Sequence, residues 1–248
     1  LTTAGTAREL GIPEENWIYY RGGADINDIW YPSERENFHS SPAIKLAWQK
    51  LSHSADLGLD DLSHFDIYSC FPSAVQISCG ALGLSPLDPR GVTVTGGLPY
   101  FGGPGNNYSL HAIAQMVTTL RETEAGSGLV TANGLYLTKH SLGLYSIRAP
   151  SGLPLPLASE PLQEEIELGP RVTPATDTTG DAVVETYTVA FDRKGPKQGI
   201  IVAKNTAGER IIATTAADED TLNGLLNDDP IGRRGNISVE KGLNVMTF

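Results

Sequence analysis

The sequence contains few cysteines and no long apolar run, and these two absences exclude whole classes of protein. Its 2 cysteines, Cys70 and Cys79, are too few for a disulfide framework. No charged, apolar and small-residue sequence marks a signal peptide at the start. No apolar run approaches the roughly 18 residues that cross a bilayer. The sequence therefore predicts a cytoplasmic protein without a membrane span.

Basic residues are also scarce, since 18 Lys and Arg stand against 29 Asp and Glu, a formal charge of -11. Such a chain repels a phosphate backbone, which binds clustered Lys and Arg. The 5 histidines form no H-E-x-x-H pair and do not join the cysteines at metal-ligand spacing. The composition therefore predicts neither a nucleic-acid partner nor a metal site.

A proline-rich stretch divides the chain, whose 248 residues suit one or two domains. Residues 149–181 hold six of the 16 prolines and almost no aliphatic periodicity, which predicts an extended connector. We therefore expect one domain over residues 1–148 and a second over 182–248. Because the first residues read like the end of an element rather than a beginning, we also expect a piece of a longer protein.

Helical and strand patterns alternate before the connector. Ser40 or Ser41 is a candidate N-cap for a helix with Pro42 in its first turn. The runs HFDIYSCF (64–71) and GVTVTGG (91–97) are β-rich and partly apolar, as buried strands are. This alternation predicts an α/β fold in which helices cover the sheet.

After the connector the pattern changes to β-branched runs. AVVETYTVAF, QGIIVAKN and ERIIATT are separated by turn signals at Lys194-Gly195-Pro196 and Ala207-Gly208. These runs predict a small antiparallel barrel or sheet, with one short helix near DEDTLNGLLN.

The stretch VTGGLPYFGGPGNNYSLHA, residues 94–112, joins a predicted strand to a predicted helix through a glycine-rich loop. It lacks the Lys and Ser or Thr of a Walker A loop, and its glycines do not follow the G-x-G-x-x-G spacing. The free amides of a helix N-terminus can stabilise an anion or an oxyanion. The residues alone leave two alternatives open, an anion-stabilising loop and a tight turn without a ligand.

Two side chains stand out as candidates for proton transfer. Cys70 ends a predicted strand before a helix, where a helix N-terminus favours a thiolate, although the position also suits an inert buried cysteine. His140 lies between two predicted strands, where it is either a general acid or base or part of a surface turn. His111 and Cys79 fall on helices and are predicted to be structural.

Three motifs resemble the C-terminal half of thiolases, in the order DIYSCF, TGGLPYFGGP and the paired runs GLVTANG and HSLGLYS. The resemblance covers roughly residues 1–148 and is closest to the sterol-carrier-type, thiolase-like branch, often labelled acetyl-CoA acetyltransferase. It implies one of two duplicated repeats, with helices layered on a mixed sheet. The family's nucleophilic cysteine lies in the other repeat, of which this sequence contains no copy.

The match to the family's catalytic motifs is uneven. The HDCF motif corresponds to residues 68–71, so the resemblance implies that Cys70 moves protons, while Tyr68 replaces the histidine and can donate a hydrogen bond to the thioester oxygen. The GG-xxxx-GHP loop corresponds to residues 96–104, where Gly103 replaces the histidine that activates the nucleophile. A thiol without an adjacent base is a poor nucleophile.

The family's C-x-G motif has no cysteine here under either of two alignments. One places Ala132 or Asn133 at the cysteine, and the other, which we favour, sets HSLG on the HNLG stretch and brings His140 to the pocket edge. The resemblance implies a catalytic set of Cys70, His140 and Tyr68. It also implies that the substrate contacts six further residues: Gly97, Gly102, Gly103, Asn106, Asn107 and Ser141.

The β-rich tail resembles the OB-type domain that is appended to some thiolase-like proteins and found in acyl-CoA-associated partner proteins. An open barrel groove predicts either binding of acyl-CoA or docking to the thiolase core. The alternative is a domain that only stabilises the assembly.

Two functions follow from the resemblance. The first is an acyl-CoA acyltransferase whose nucleophile comes from the missing half, so that the isolated chain is inactive. The second, favoured by Gly103 and the absent C-x-G cysteine, is a non-catalytic acyl-CoA-binding or partner protein. Acyl-CoA or CoA is then a substrate or ligand and no cofactor is expected. A homodimer and an acyl-CoA-associated partner protein are further implied partners.

Overall fold

The computed structural model describes residues 1–124, 126–152 and 156–248 and divides into two units. The sheet unit comprises Leu1–Trp30 and Asn37–Gly169, and the barrel unit comprises Tyr31–Glu36 and Pro170–Phe248. Among the described residues, no helix is both long and apolar enough to cross a membrane.

The sheet unit alternates helices and strands. In chain order they are α1 Ala4–Glu9, β1 Tyr19–Asn27, α2 Pro42–Ala55, β2 Leu62–Asp66, α3 Pro72–Leu82, α4 Leu98–Phe101, α5 Tyr108–Thr123, β3 Ser127–Gly134, β4 Lys139–Ser146 and α6 Ser159–Glu167. Helix α2 begins as predicted at Pro42, and Ser41 is its N-cap because its hydroxyl accepts the Ile44 amide proton.

The four strands form a mixed sheet in the order β1-β4-β3-β2. Strand β2 runs parallel to β3, whereas β4 is antiparallel to both β1 and β3. One core cluster combines strand residues with buried side chains of α2, α3 and α6, and another combines Val130 and Tyr145 with buried side chains of α5. The predicted α/β class is confirmed.

Two of the predicted strands differ in the structure. Strand β2 ends at Asp66, so residues 68–71 form a loop rather than the end of a strand. The run 91–97 forms no regular strand. It meets β2 through one backbone hydrogen bond, from the Ile67 amide to the Val92 carbonyl, and then through the Asp66 carboxylate. A side-chain acceptor thus replaces the next backbone hydrogen bonds that a paired strand would make.

The stretch predicted as an extended connector, residues 149–181, contains helix α6. Leu162 and Ile166 lie four residues apart on this helix, and both are buried in the core of the sheet unit. One pair of apolar residues at helical spacing suffices because neighbouring side chains complete the core, a tertiary effect that overrides a weak local pattern. Residues 153–155 of this stretch lie outside the described part of the chain.

The barrel unit is a closed five-stranded barrel with the strand order β5-β6-β7-β9-β8. Its elements are β5 Gly180–Asp192, β6 Gly195–Asn205, β7 Arg210–Thr215, α7 Glu219–Asn227, β8 Arg234–Glu240 and β9 Leu243–Thr247. The β7–β9 pair is parallel, and the other pairs are antiparallel. The predicted barrel and short helix are present, but the barrel is not wholly antiparallel.

Candidate functional site

Three chain segments meet at one end of the sheet. Because β2 and β3 are parallel, their carboxyl ends lie at the same edge, a usual place for ligand sites. The loop 68–71 follows β2, the β3–β4 hairpin follows β3, and the glycine loop 96–105 precedes α5. The Ser69 hydroxyl accepts the Leu98 amide proton at 2.9 Å, so the first loop contacts the glycine loop directly.

Cys70 lies in the loop before α3 and is half-buried. Its Sγ accepts a hydrogen bond from Asn133 Nδ2 at 3.3 Å, which links the loop to the hairpin. Cys79 is buried as predicted, and its burial raises the pKa of the thiol to about 11. Cys70 is therefore the cysteine that a reagent or ligand can reach.

His140 lies within β4 and is 5% exposed, so the surface-turn alternative is wrong. Its backbone pairs with Asn133 on one side and with Ile26 on the other, which carries the ring into the sheet rather than into solvent. Nε2 lies 3.1 Å from the Leu137 carbonyl oxygen, and since a carbonyl only accepts, Nε2 carries the proton and donates.

A cavity of about 530 Å³ lies at this end of the sheet. It is lined by Asp25, Ile26, Asn27, Ala132, Asn133, Gly134, Lys139, His140, Ser141, Ser159, Glu160 and Gln163. The Ser141 hydroxyl donates a hydrogen bond to the Asp25 carboxylate across the β1–β4 pair. His140 and Ser141 thus share one cavity, whereas Cys70 is not among the lining residues and reaches it only through Asn133.

Asn133 connects the two parts of the site. Its Nδ2 faces the sulfur of Cys70, its side chain lines the cavity, and its Oδ1 is buried without a hydrogen-bond partner among the described residues. An unpaired buried acceptor is uncommon and costly. Sequence reasoning considered Asn133 only as the position of a missing cysteine.

Tyr68 lies in the same loop but faces α5. Its ring meets the Tyr108 ring edge-on, with the centroids 5.3 Å apart, and its amide donates to the Thr131 hydroxyl. Burial, and then the charge of Cys70, raises the pKa of the Tyr68 hydroxyl above its usual value. The hydroxyl therefore remains a donor at neutral pH.

Close contacts restrict the glycine loop at two of its glycines. Gly97 adopts φ 95°, and a Cβ there would lie 3.2 Å from the Ser69 hydroxyl. A Cβ on Gly103 would lie 3.1 Å from the Tyr108 Cβ and 3.2 Å from a Leu98 methyl group. A histidine, which thiolases carry at this position, would therefore require Tyr108 or Leu98 to move by a few tenths of an ångström.

The remaining predicted contact residues lie at the end of this loop. Gly102 ends α4, Asn106 is exposed, and Asn107 precedes α5 without a capping hydrogen bond from its side chain. None of the three lines the cavity beside Asn133. His111, in the first turn of α5, packs near Phe101 with the ring centroids 5.8 Å apart.

Asp66 is a structural centre of the site that sequence reasoning missed. It is fully buried, and its carboxylate accepts hydrogen bonds from the Tyr108 and Thr95 hydroxyls, both at 2.9 Å, and from the amides of Val94 and Thr95. Burial is the largest influence and raises its pKa, against the opposing hydrogen bonds. The signal available in the sequence was an acid directly after an apolar strand and before the loop.

Comparisons with known proteins add the family context. A family model described as thiolase-like protein type 1 additional C-terminal domain matches residues 161–241. A search of curated proteins found no match. Together with the mixed sheet and the barrel, the family model and the structural match below support a place for this chain in the thiolase-like superfamily.

A particular solved structure is similar over nearly the whole chain. It is the crystal structure of a monomeric SCP2-thiolase like protein type 1 from Mycobacterium smegmatis, with 40% sequence identity and a TM-score of 0.87. The match covers 98% of this chain and 53% of that chain. This chain thus spans about half the length of the protein it resembles.

Proposed function

We propose that this chain is an acyl-CoA-binding module of a thiolase-like protein, in which the cavity beside Asn133 and His140 receives the ligand. The cavity carries the proposal because its 530 Å³ lies within the range of about 300 to 1,000 Å³ that is usual for small-molecule sites. It also lies at the carboxyl end of β3, where α/β sheets commonly bind ligands.

The charges around the cavity indicate which end of an acyl-CoA would enter it. Asp25 and Glu160 are acidic, and Lys139 is the one Lys or Arg among the lining residues. This surface disfavours the phosphates of CoA, whereas the acyl group and the pantetheine arm are uncharged and carry amide N–H donors. We therefore propose that the acyl–pantetheine end enters the cavity, where the unpaired Asn133 Oδ1 is a suitable acceptor.

The geometry favours binding over catalysis. The side chain that is hydrogen-bonded to Cys70 Sγ is the amide of Asn133. An amide is not a base and cannot take up the thiol proton. The Nε2 of His140 already donates to a carbonyl, and position 103 carries a glycine in a crowded place rather than a histidine. A covalent acyl transfer would need a nucleophile and a base from another part of a longer protein.

The acyltransferase is the second candidate, and one observation favours it. Cys70, Asn133 and the cavity lie together at the end of the sheet, as a proton-transfer group beside a substrate would. In that case the nucleophile comes from a second repeat. The homodimer that the thiolase resemblance implied is a separate prediction, and the similar M. smegmatis protein is described as monomeric.

For the barrel unit we propose an OB-like fold. The closed strand order β5-β6-β7-β9-β8, the parallel β7–β9 pair and the helix between the third and fourth strands support this assignment. OB folds bind ligands on the second and third strands, here β6 and β7. Binding of acyl-CoA there, or docking to the thiolase core, remains the proposal beside a purely stabilising role.

Alkylation of Cys70 tests acyl-CoA binding without requiring turnover. Iodoacetamide should label Cys70 and spare the fully buried Cys79, which is the internal reference. We expect saturating acetyl-CoA to slow the labelling about tenfold, because a ligand held in the cavity restrains Asn133 against the thiol. An unchanged rate together with no heat of binding by calorimetry would overturn the proposal.

A second variant locates the ligand. Ala132→Leu adds three carbon atoms at the cavity wall and should weaken acetyl-CoA binding about tenfold, while Ala190→Leu on β5 is the control and should not. The chain should not cleave acetoacetyl-CoA in the presence of free CoA. Cleavage that disappears in Cys70→Ala would favour the acyltransferase instead.

A further inference from the structure

The barrel unit contains a short segment from the first part of the sequence, Tyr31–Glu36, which we call the strap. It is separated from the rest of the unit by more than a hundred residues, and it is not part of the matched family range 161–241. Its own regular structure is one 3-10 turn at Pro32–Glu34, so local hydrogen bonds alone do not fix it.

One buried side chain makes several hydrogen bonds to the strap. Arg210, the first residue of β7, has a side chain that is 5% exposed. Its guanidinium donates to the carbonyl oxygens of Ser33 and Glu36, both at 3.0 Å, and also to that of Arg35. The acceptors are backbone oxygens 174 to 177 residues away in the sequence.

The fourth contact of this guanidinium is an ion pair. Arg210 Nε lies 3.4 Å from Glu185 Oε2, and the other oxygen of Glu185 lies 3.2 Å from Lys204 Nζ. The rigid fork of an arginine suits several acceptors at fixed angles, which the flexible ammonium of a lysine cannot match. Lys204 is about half exposed and contacts the same carboxylate without contacting the strap.

The strap is the direct continuation of a segment at the cavity rim. Trp30, the residue before it, lies under the Lys139 ammonium at 5.5 Å, and Lys139 lines the cavity. Just before Trp30, the Asp28 amide donates to the Thr138 carbonyl at 2.8 Å. Residues 28–30 thus contact the rim, and from Ser33 onward the same chain is hydrogen-bonded to Arg210.

We propose that Arg210 is the anchor of the strap and that, because the chain is continuous, loss of this anchor changes the surroundings of Trp30, the residue next to the strap, which contacts Lys139 at the rim of the cavity. Arg210 is a positioning residue, because it acts through the chain and not on a ligand. The anchoring itself is independent of the proposed function. Only an effect on acyl-CoA binding rests on that function.

Hydrogen exchange of one amide tests the anchor. The Val172 amide donates to the Glu34 carbonyl of the strap at 2.8 Å. In Arg210→Met this amide should exchange about tenfold faster than in the wild type, since loss of charge-assisted hydrogen bonds releases its acceptor. Lys204→Met, which removes the other partner of Glu185, is the matched control and should leave the exchange rate unchanged.

The indole N–H resonances of the 3 tryptophans, measured by NMR, report separately on the rim of the cavity. The Trp30 signal should shift in Arg210→Met, while those of Trp17 and Trp48 should not. If the β6 amides also exchange faster in Arg210→Met, the whole barrel has opened and this variant no longer reports on the strap alone. Arg210→Lys is then the test, because it keeps the positive charge. In that variant the Val172 amide should exchange at a rate between those of the wild type and Arg210→Met. An unchanged Val172 rate in both variants would overturn the anchor, and an unmoved Trp30 signal would overturn its effect on the rim.

Acetyl-CoA binding is the final readout. Weaker binding in Arg210→Met with normal binding in Lys204→Met would support control of the cavity by the strap. If acetyl-CoA binds neither the wild type nor the variants, the proposed function fails, and the exchange and indole measurements still decide the anchor. Equal affinity in all three proteins, with faster Val172 exchange, would confine the anchor to the barrel unit and overturn its influence on the cavity.

Discussion

Asp66 in the sheet unit and Arg210 in the barrel unit perform opposite forms of the same task. Each is a buried ionisable group that secures irregular backbone by hydrogen bonds. The Asp66 carboxylate accepts from the amides of Val94 and Thr95, whereas the Arg210 guanidinium donates to carbonyls of the strap. In both cases a side chain supplies the bonds that a strand or helix would otherwise supply.

The two centres differ in how far along the chain they reach. Asp66 binds residues 28 and 29 positions away, within one strand-to-helix unit, while Arg210 binds residues 174 to 177 positions away. A local centre shapes a loop, and a distant one joins two parts of the sequence into one unit. Four predictions test this comparison.

The largest effect is expected at Asp66. In Asp66→Ala the Tyr108 and Thr95 hydroxyls and two amides lose their acceptor in the protein interior, so the free energy of unfolding should fall by about 3 kcal/mol. All 3 tryptophans belong to the sheet unit, so denaturation followed by tryptophan fluorescence measures this loss.

Asp60→Ala is the control for this measurement, because Asp60 is exposed. Its fluorescence transition should coincide with that of the wild type. If Asp66→Ala also kept the wild-type midpoint, the hydrogen bonds to Asp66 would not hold the glycine loop, and the parallel with Arg210 would fail.

A smaller loss is expected at Arg210. Arg210→Met keeps an apolar stem but removes the hydrogen bonds to the strap, which should cost the barrel unit about 2 kcal/mol. Because the barrel unit contains no tryptophan, circular dichroism should register this loss while tryptophan fluorescence keeps its wild-type midpoint. Coincident shifts in both signals would show that the two centres do not act locally.

The sequence predicts the loops around the local centre better than it predicts the strap, although Asp66 itself was missed. The motifs at 68–71 and 96–104 led to the loops that meet at Ser69 and Leu98, because motif residues lie close together along the chain. The strap was not predicted, because nothing in YPSERE indicates that its carbonyls face an arginine more than 170 residues later. A local contact of a side chain with backbone, such as the Ser41 N-cap, has a sequence pattern, but a contact between distant positions has none in a single sequence.

Burial explains the other differences between prediction and structure. The sequence left two alternatives for His140, a catalytic group or a surface turn, because a single histidine shows no periodicity. The pairing of β4 with β1 and β3 places this residue within the sheet. The run 91–97 has the composition of a strand, but the amides of Val94 and Thr95 donate to the Asp66 side chain instead of to a neighbouring strand. Helix α6 forms in a proline-rich stretch because Leu162 and Ile166 enter the core.

The substitution Gly103→His, which restores the histidine of thiolases, tests how tightly the glycine loop is packed. Gly103→His places a Cβ against Tyr108 and Leu98, which should destabilise the sheet unit by about 1 to 2 kcal/mol. On the binding proposal it should not create cleavage of acetoacetyl-CoA, because a histidine at position 103 supplies a base and no nucleophile. Gly105→Ala is no suitable control because Gly105 adopts φ 57°, so Gly80→Ala on α3, where a Cβ meets nothing, serves instead. Measurable cleavage by Gly103→His would contradict the binding proposal.

The smallest effect expected is a dependence of stability on pH. Burial raises the folded-state pKa of Asp66 above its ordinary value of 3.8, so the folded state binds a proton more tightly than the unfolded state. The contribution of Asp66 is therefore fully present below pH 3.8 and is lost as the pH rises through the folded pKa. Asp88, whose pKa is lowered to about 2 by its bonds with Arg90, acts in the opposite sense.

Comparison with Asp66→Asn isolates the contribution of the one carboxyl. The amide side chain of this variant cannot ionise, so the difference in unfolding free energy, wild type minus variant, should decline as the pH rises above 3.8 and level off once the raised folded-state pKa of Asp66 is passed. Arg210→Met provides the contrast, because a guanidinium does not titrate in this range, and its difference from the wild type should be flat. A rising difference for Asp66→Asn would mean that the four hydrogen bonds of the carboxylate outweigh burial, which would make Asp66 a stable buried anion comparable with the Arg210 cation.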